Sequence, residues 1–126
     1  MSLRTPLGRV LGLGTAKDGT SHWWGQRVSA VALLFLGLWF AWSLAVTPDF
    51  SHAVVVAEIG RPINNILLLL LSVTLAYHSY LGMQVVVEDY VHAPGIKVIT
   101  LMSSRFAHIA LAVAAVFAIL KIGLNA

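Results

Sequence analysis

Cysteine is missing altogether from this chain of 126 residues, which excludes disulfides, thiolate nucleophiles and iron-sulfur ligation by the chain itself. Charge is almost as scarce: charged residues make up 10% against 59% hydrophobic, too little polar surface to coat a water-soluble globule. Five acids stand against eight Lys and Arg, a net charge of +3. The basic residues are scattered and no recognised binding motif accompanies them, so a nucleic acid is not the expected partner. The period-two alternation of a membrane β-barrel is absent, and internal repeats and low-complexity tracts are absent too. No small-residue cleavage site follows an apolar core, so the polar, Gly-rich amino-terminal stretch does not read as a secretory signal.

What the chain does have is long apolar runs. Three stretches, about 28–46, 63–87 and 98–120, reach the ~20 residues that an α-helix needs to cross ~30 Å of hydrocarbon. Backbone amides in hydrocarbon must pair within their own helix once a barrel is excluded. The expected fold is therefore an all-α membrane protein with three transmembrane helices: a cytoplasmic arm, 1–26, and a three-helix anchor, 27–126. Arg4, Arg9, Lys17 and Arg27 precede the first span and Lys97 lies in the second loop, with Arg105 just inside the third span. Arg61 and Lys121 lie on the opposite side, beside Asp49 and Glu58. That excess predicts a cytoplasmic amino terminus and a periplasmic carboxyl terminus in a bacterial inner membrane.

Boundary signals fit these spans. Ser21 is a candidate helix cap, and Trp23 and Trp24 suit a headgroup interface. Thr47, Pro48 and Asp49 end the first span, and 51–60 is expected to lie along the outer surface. Arg61 and Pro62 begin the second span, with proline suited to a first helical turn. Ala93, Pro94 and Gly95 break it, and the third helix is expected from about Ile96 to Lys121.

Inside the second span sits His78, a titratable ring in an apolar run and costly there unless something binds it. At ~100° per residue, positions four, seven and eleven further on return near the same face, so His78, Gly82, Val85 and Asp89 form one stripe. At ~1.5 Å per residue Asp89 lies ~16 Å and Tyr90 ~18 Å beyond His78, at the membrane edge. A neutral imidazole nitrogen, a glycine one turn away and an apolar wall are what axial ligation of haem asks of a helix. The plainer alternative is a histidine bonded to a carbonyl or hydroxyl of a neighbouring helix, with Gly82 a helix-crossing contact. His108 competes as a ligand because it too lies within a span, although no such stripe surrounds it and Ser104 or a lipid phosphate could satisfy it. Tyr90 alone reads as an interfacial belt residue, Asp89 as a helix end or partner of Lys97, and Arg27 and Arg105 as snorkelling anchors. His52 and His92 read as loop residues, and Trp39 and Trp42 as packing or lipid-facing.

The order His78, Gly82, Met83, Gln84, Asp89, Tyr90, Val91 resembles the second transmembrane helix of the succinate dehydrogenase hydrophobic membrane anchor family, the smaller of that enzyme's two membrane subunits. The family has a histidine, a glycine four residues on, and an Asp-Tyr pair at eleven and twelve. His22 and Arg27, with the intervening aromatics, resemble its approach to the first helix. Spans agree in number and order, while about 25 residues carry motif-level information. The resemblance implies that His78 is an axial iron ligand of one haem b shared with a histidine of the cytochrome b membrane subunit, with Gly82 beside it. It implies that Arg27 and His22 meet the haem propionates, a role suited to a bidentate guanidinium. It implies that Tyr90, with Asp89, binds ubiquinone near the cytoplasmic surface. The implied partners are that cytochrome b subunit, an iron-sulfur subunit and a flavoprotein, in a heterotetramer with trimerisation as a further option.

With no flavin motif and no cysteine, the chain is not expected to oxidise succinate itself. It would tether the soluble subunits, share the haem and line a quinone pocket. The competing expectations are the anchor of a quinol:fumarate reductase, a haem-free membrane scaffold, and a small proton-path protein, the last lacking the repeated or broken helix pair it would call for.

Overall fold

A computed structural model describes residues 5–11 and 19–126. Arg4 and Lys17, which the orientation argument uses, lie outside them. The described residues form five helices and no strand: α1 (Pro6–Val10), α2 (Gly19–Val46), α3 (His52–Gly60), α4 (Pro62–Tyr90) and α5 (Pro94–Asn125). Stretches 20–46, 62–90 and 94–125 are each long and apolar enough to cross a membrane. At ~1.5 Å per residue the 29 residues of α4 extend about 43 Å, beyond the hydrocarbon on its own. All three helices outrun the expected apolar spans, because a helix keeps satisfying its own backbone as it passes into the headgroup layer.

The termini of these helices follow local chemistry. α2 begins at Gly19, inside the stretch assigned to the arm, so Ser21 lies within the helix and does not cap it. Ser43 and Thr47 donate their hydroxyls to the carbonyls of Trp39 and Ser43, at 2.9 and 2.7 Å, closing the last turn of α2 from within. Pro62 opens α4, where its missing N–H would have had no helical partner. Val91 ends α4 in extended backbone, its N–H still reaching the Val87 carbonyl. Pro94 then opens α5. The stretch expected along the outer surface is the short helix α3.

α4 is the axis of the bundle. α2 and α5 both pack on it and, among the described residues, not on each other, while α3 touches the start of α4 and the end of α5. Four described residues are buried: Leu81, Val87, Ser29 and Asn65. Apolar side chains such as Phe35, Trp42 and Leu111 are about two-thirds exposed, as a lipid-facing surface allows and water would not. Small residues permit the close approaches. A Cβ on Gly25 would meet the Tyr77 hydroxyl at 2.5 Å, and one on Gly123 would meet the Asn65 amide at 2.5–2.8 Å. α2 and α4 run antiparallel, so the Trp23, Trp24, Arg27 end of α2 stands at the Asp89, Tyr90 end of α4. Gly60, Asn65 and the carboxyl-terminal Ala126 gather at the other end.

Candidate functional site

His78 turns toward α2 and meets it with both ring nitrogens. Nδ1 lies 2.9 Å from the Ser29 hydroxyl, and Nε2 lies 3.4 Å from the Gln26 side-chain nitrogen. The tautomer follows from hydrogen counting. Ser29 has one hydroxyl hydrogen and donates it to the Gln26 backbone carbonyl at 3.0 Å. With that hydrogen so placed, Ser29 accepts from His78, and the ring carries its hydrogen on Nδ1 and a lone pair on Nε2; with the hydrogen turned to Nδ1 the tautomer reverses. That lone pair faces only the Gln26 amide, at a distance long for a hydrogen bond. The amide's oxygen, Oε1, is buried without a partner.

Gly82 completes this corner. A Cβ there would stand 3.8 Å from the same Gln26 nitrogen, so the glycine leaves the space beside Nε2 to the Gln26 side chain. One turn before Gln26, the Nε2 of His22 is also buried and unpartnered. His22, Gln26 and Ser29 are spaced four and three apart, one face of α2. On the other side of Ser29, a groove of about 470 Å³ runs between Trp24, Val28 and Ala32 of α2 and Val73, Thr74 and Tyr77 of α4.

The other expected residues lie apart. Arg27 is exposed and stacks on Trp23, its guanidinium carbon 5.2 Å from the ring centre. Asp89 is exposed and Tyr90 is 78% exposed, at the end of α4 and out of reach of the ring. Lys97 reaches the Glu88 carbonyl at 3.1 Å rather than Asp89. His108 occupies a closed polar cluster between α4 and α5: Nδ1 lies 2.7 Å from the Ser104 carbonyl and Nε2 3.1 Å from the Ser79 hydroxyl, with Tyr80 edge-on at 5.9 Å. Among the described residues no three His, Asp or Glu side chains gather to hold a metal ion, so a metal at His78 needs ligands from elsewhere. The sequence reading missed Ser29 and Gln26. Their signal was three polar residues on one face of an otherwise apolar helix.

The chain's residues 1–120 match the family model described as succinate dehydrogenase/fumarate reductase transmembrane subunit. The chain belongs to that family. A succinate dehydrogenase hydrophobic membrane anchor subunit of Paracoccus denitrificans is 33% identical over 122 residues, 97% of this chain and 94% of that one. One from Rickettsia bellii (strain RML369-C) is 38% identical over 88 residues, 70% of each chain. A succinate dehydrogenase membrane anchor subunit of Reclinomonas americana is 32% identical over 92 residues, 71% of this chain and 77% of that one. No solved structure matches. These relatives agree with the three apolar helices in marking a multi-pass membrane anchor, one that works with the other subunits of a succinate dehydrogenase.

Proposed function

We propose that this anchor holds a haem b through His78 and forms one edge of a ubiquinone site with Tyr90 and Asp89, in a succinate:quinone oxidoreductase of a bacterial inner membrane. The observation that carries the reading is the setting of His78: Nδ1 lies 2.9 Å from the Ser29 hydroxyl, which itself donates to a backbone carbonyl, so that a hydrogen on Nδ1 leaves Nε2 a lone pair one turn from a glycine. The residues fit the group. A neutral imidazole nitrogen is the donor that haem iron takes, and the side chain in front of it is tethered by one long contact. A haem bound there would supply a one-electron redox centre, held by His78 together with the cytochrome b subunit. His78 would hold it, Gly82 would give it room once the Gln26 side chain swings aside, and His22, one turn before Gln26, offers an unpartnered nitrogen for a propionate. Arg27 reaches a propionate only by leaving Trp23.

Tyr90 and Asp89 stand ~18 and ~16 Å along α4 from His78, at the same end as Arg27. Their exposure suits a pocket that other subunits complete. There the Tyr90 hydroxyl donates to a quinone carbonyl, and Asp89 passes protons from water as the quinone takes two electrons and two protons. The iron-sulfur subunit docks on that cytoplasmic face, below the flavoprotein that oxidises succinate. The basic residues before the first span support that orientation. The same geometry serves a fumarate reductase run in reverse, which the family's name includes.

A haem-free scaffold has one observation in its favour, since both His78 nitrogens already touch α2. The purified complex decides between them. His78→Ala should remove or shift the haem absorbance, while Tyr90→Phe should lower quinone reduction several-fold with the spectrum intact. An unchanged spectrum and midpoint potential in His78→Ala would sink the ligand assignment, and a wild-type complex without haem absorbance would establish the scaffold.

A further inference from the structure

We infer that Ser29 is the positioning residue for His78: its hydroxyl fixes the tautomer and ring plane that put the metal-binding lone pair on Nε2, beside Gln26 and Gly82. The inference rests on the reading that His78 is an iron ligand and adds to it a residue that touches no haem itself. Ser29 is 5% exposed, one of the two buried polar residues among those described, and its hydroxyl is fully committed. It donates to the Gln26 carbonyl one turn back at 3.0 Å and lies 2.9 Å from His78 Nδ1, from which it then accepts. Helical geometry sets the donor direction, so the acceptor lone pair points across to α4 without any rotamer search by His78.

Two consequences follow for the imidazole. First, a hydrogen on Nδ1 leaves Nε2 as the only nitrogen able to bind a metal, which removes the competing tautomer. Second, a hydrogen bond from the far nitrogen makes the near one a stronger donor and holds the ring plane. A more basic ligand favours ferric over ferrous iron, so loss of the Ser29 acceptor should raise the haem midpoint potential. The groove beyond Ser29 is lined by Val28 and Ala32 of α2 and by Val73, Thr74 and Tyr77 of α4.

The test uses the assembled complex carrying Ser29→Ala, Ser29→Val or Ser29→Thr, with His78→Ala as reference. Val and Thr have nearly the same shape and differ by a methyl in place of the hydroxyl, so the pair separates bulk from hydrogen bonding, and Ala adds no bulk at all. Haem content, midpoint potential by redox titration and the low-spin ferric signal by electron paramagnetic resonance are read for each. The expected result is a wild-type potential and signal in Thr, with an upward shift and an altered signal, or loss of haem, in Ala and Val. Wild-type values in Ala would overturn the positioning role while leaving the ligand reading intact, and so would a Thr complex that shifts as Val does. A His78→Ala complex that keeps the wild-type spectrum and potential would overturn the ligand reading itself, and the role of Ser29 with it.

Discussion

Near the start of α4, Asn65 commits its side-chain amide nitrogen to two backbone carbonyls, Ile59 at 3.1 Å and Ile119 at 2.8 Å, and so ties α3 and α5 to α4. Near the other end, His78 meets α2 through a network that leaves Gln26 Oε1 and His22 Nε2 without partners. Both places bury a polar residue where apolar ones would cost nothing. At Asn65 the amide nitrogen bonds two carbonyls and Gly123 closes over the side chain. At His78 capacity remains, and an unpartnered buried polar atom costs roughly 1–3 kcal/mol unless a ligand or partner chain takes it up. Polarity that is complete within the chain holds helices together, whereas incomplete polarity points outward to what the chain binds. His108 belongs with Asn65 by this measure, because both of its nitrogens have partners and none of the unpartnered buried atoms among the described residues lies in its cluster.

The largest expected effect breaks the comparison at its strongest point. In the purified complex, His108→Ala should retain the haem absorbance that His78→Ala loses, even though both rings lie inside spans. Haem loss in His108→Ala with retention in His78→Ala would invert the assignment. Next comes the closed end: Gly123→Val drives a side chain into Asn65 and should lower thermal stability of the complex by about 1–3 kcal/mol with the haem spectrum unchanged. Asn65→Ala leaves two carbonyls short of a donor and should cost about 1–3 kcal/mol, again without a spectral change. A spectral shift in either would mean that the two ends are not separable.

The sequence carried the helices well because a run of apolar residues in hydrocarbon has one way to satisfy its backbone. It carried His78 and Gly82 because their spacing lies within a single helix. It did not reveal Ser29 and Gln26 as their partners, since which face of α2 meets α4 depends on packing between helices. Gly25 under the Tyr77 hydroxyl is part of that packing, and a lone glycine in an apolar run announces no partner. Ser21 shows the opposite failure: its residue type suits a cap, but the helix starts before it, at Gly19. The fully paired state of His108 was half legible, through Ser104 four residues earlier on the same face, while Ser79 on α4 was not.

The smallest expected effect concerns the turn that leads into α3, next to the closed end. Asp49 accepts from the Ser51 backbone N–H, and hydrogen bonds from the Ser51 side chain and backbone hold its carboxyl below the usual 3.8. A carboxyl whose folded pKa is depressed adds its stabilisation above the unfolded value and loses it as pH falls through the folded one. The turn is therefore intact at neutral pH and loosens only in acid below 3.8. Protection of the Ser51 amide against hydrogen exchange, corrected for the intrinsic rate, should be lower in Asp49→Ala at neutral pH. In the wild type it should fall only below that value. Asp49 is fully exposed, so the change should stay local: the haem spectrum and the thermal stability of the complex should not follow it. Loss of protection already near neutral pH would assign the order of this turn to the α3 helix alone, and would extend the closed end no further than Asn65.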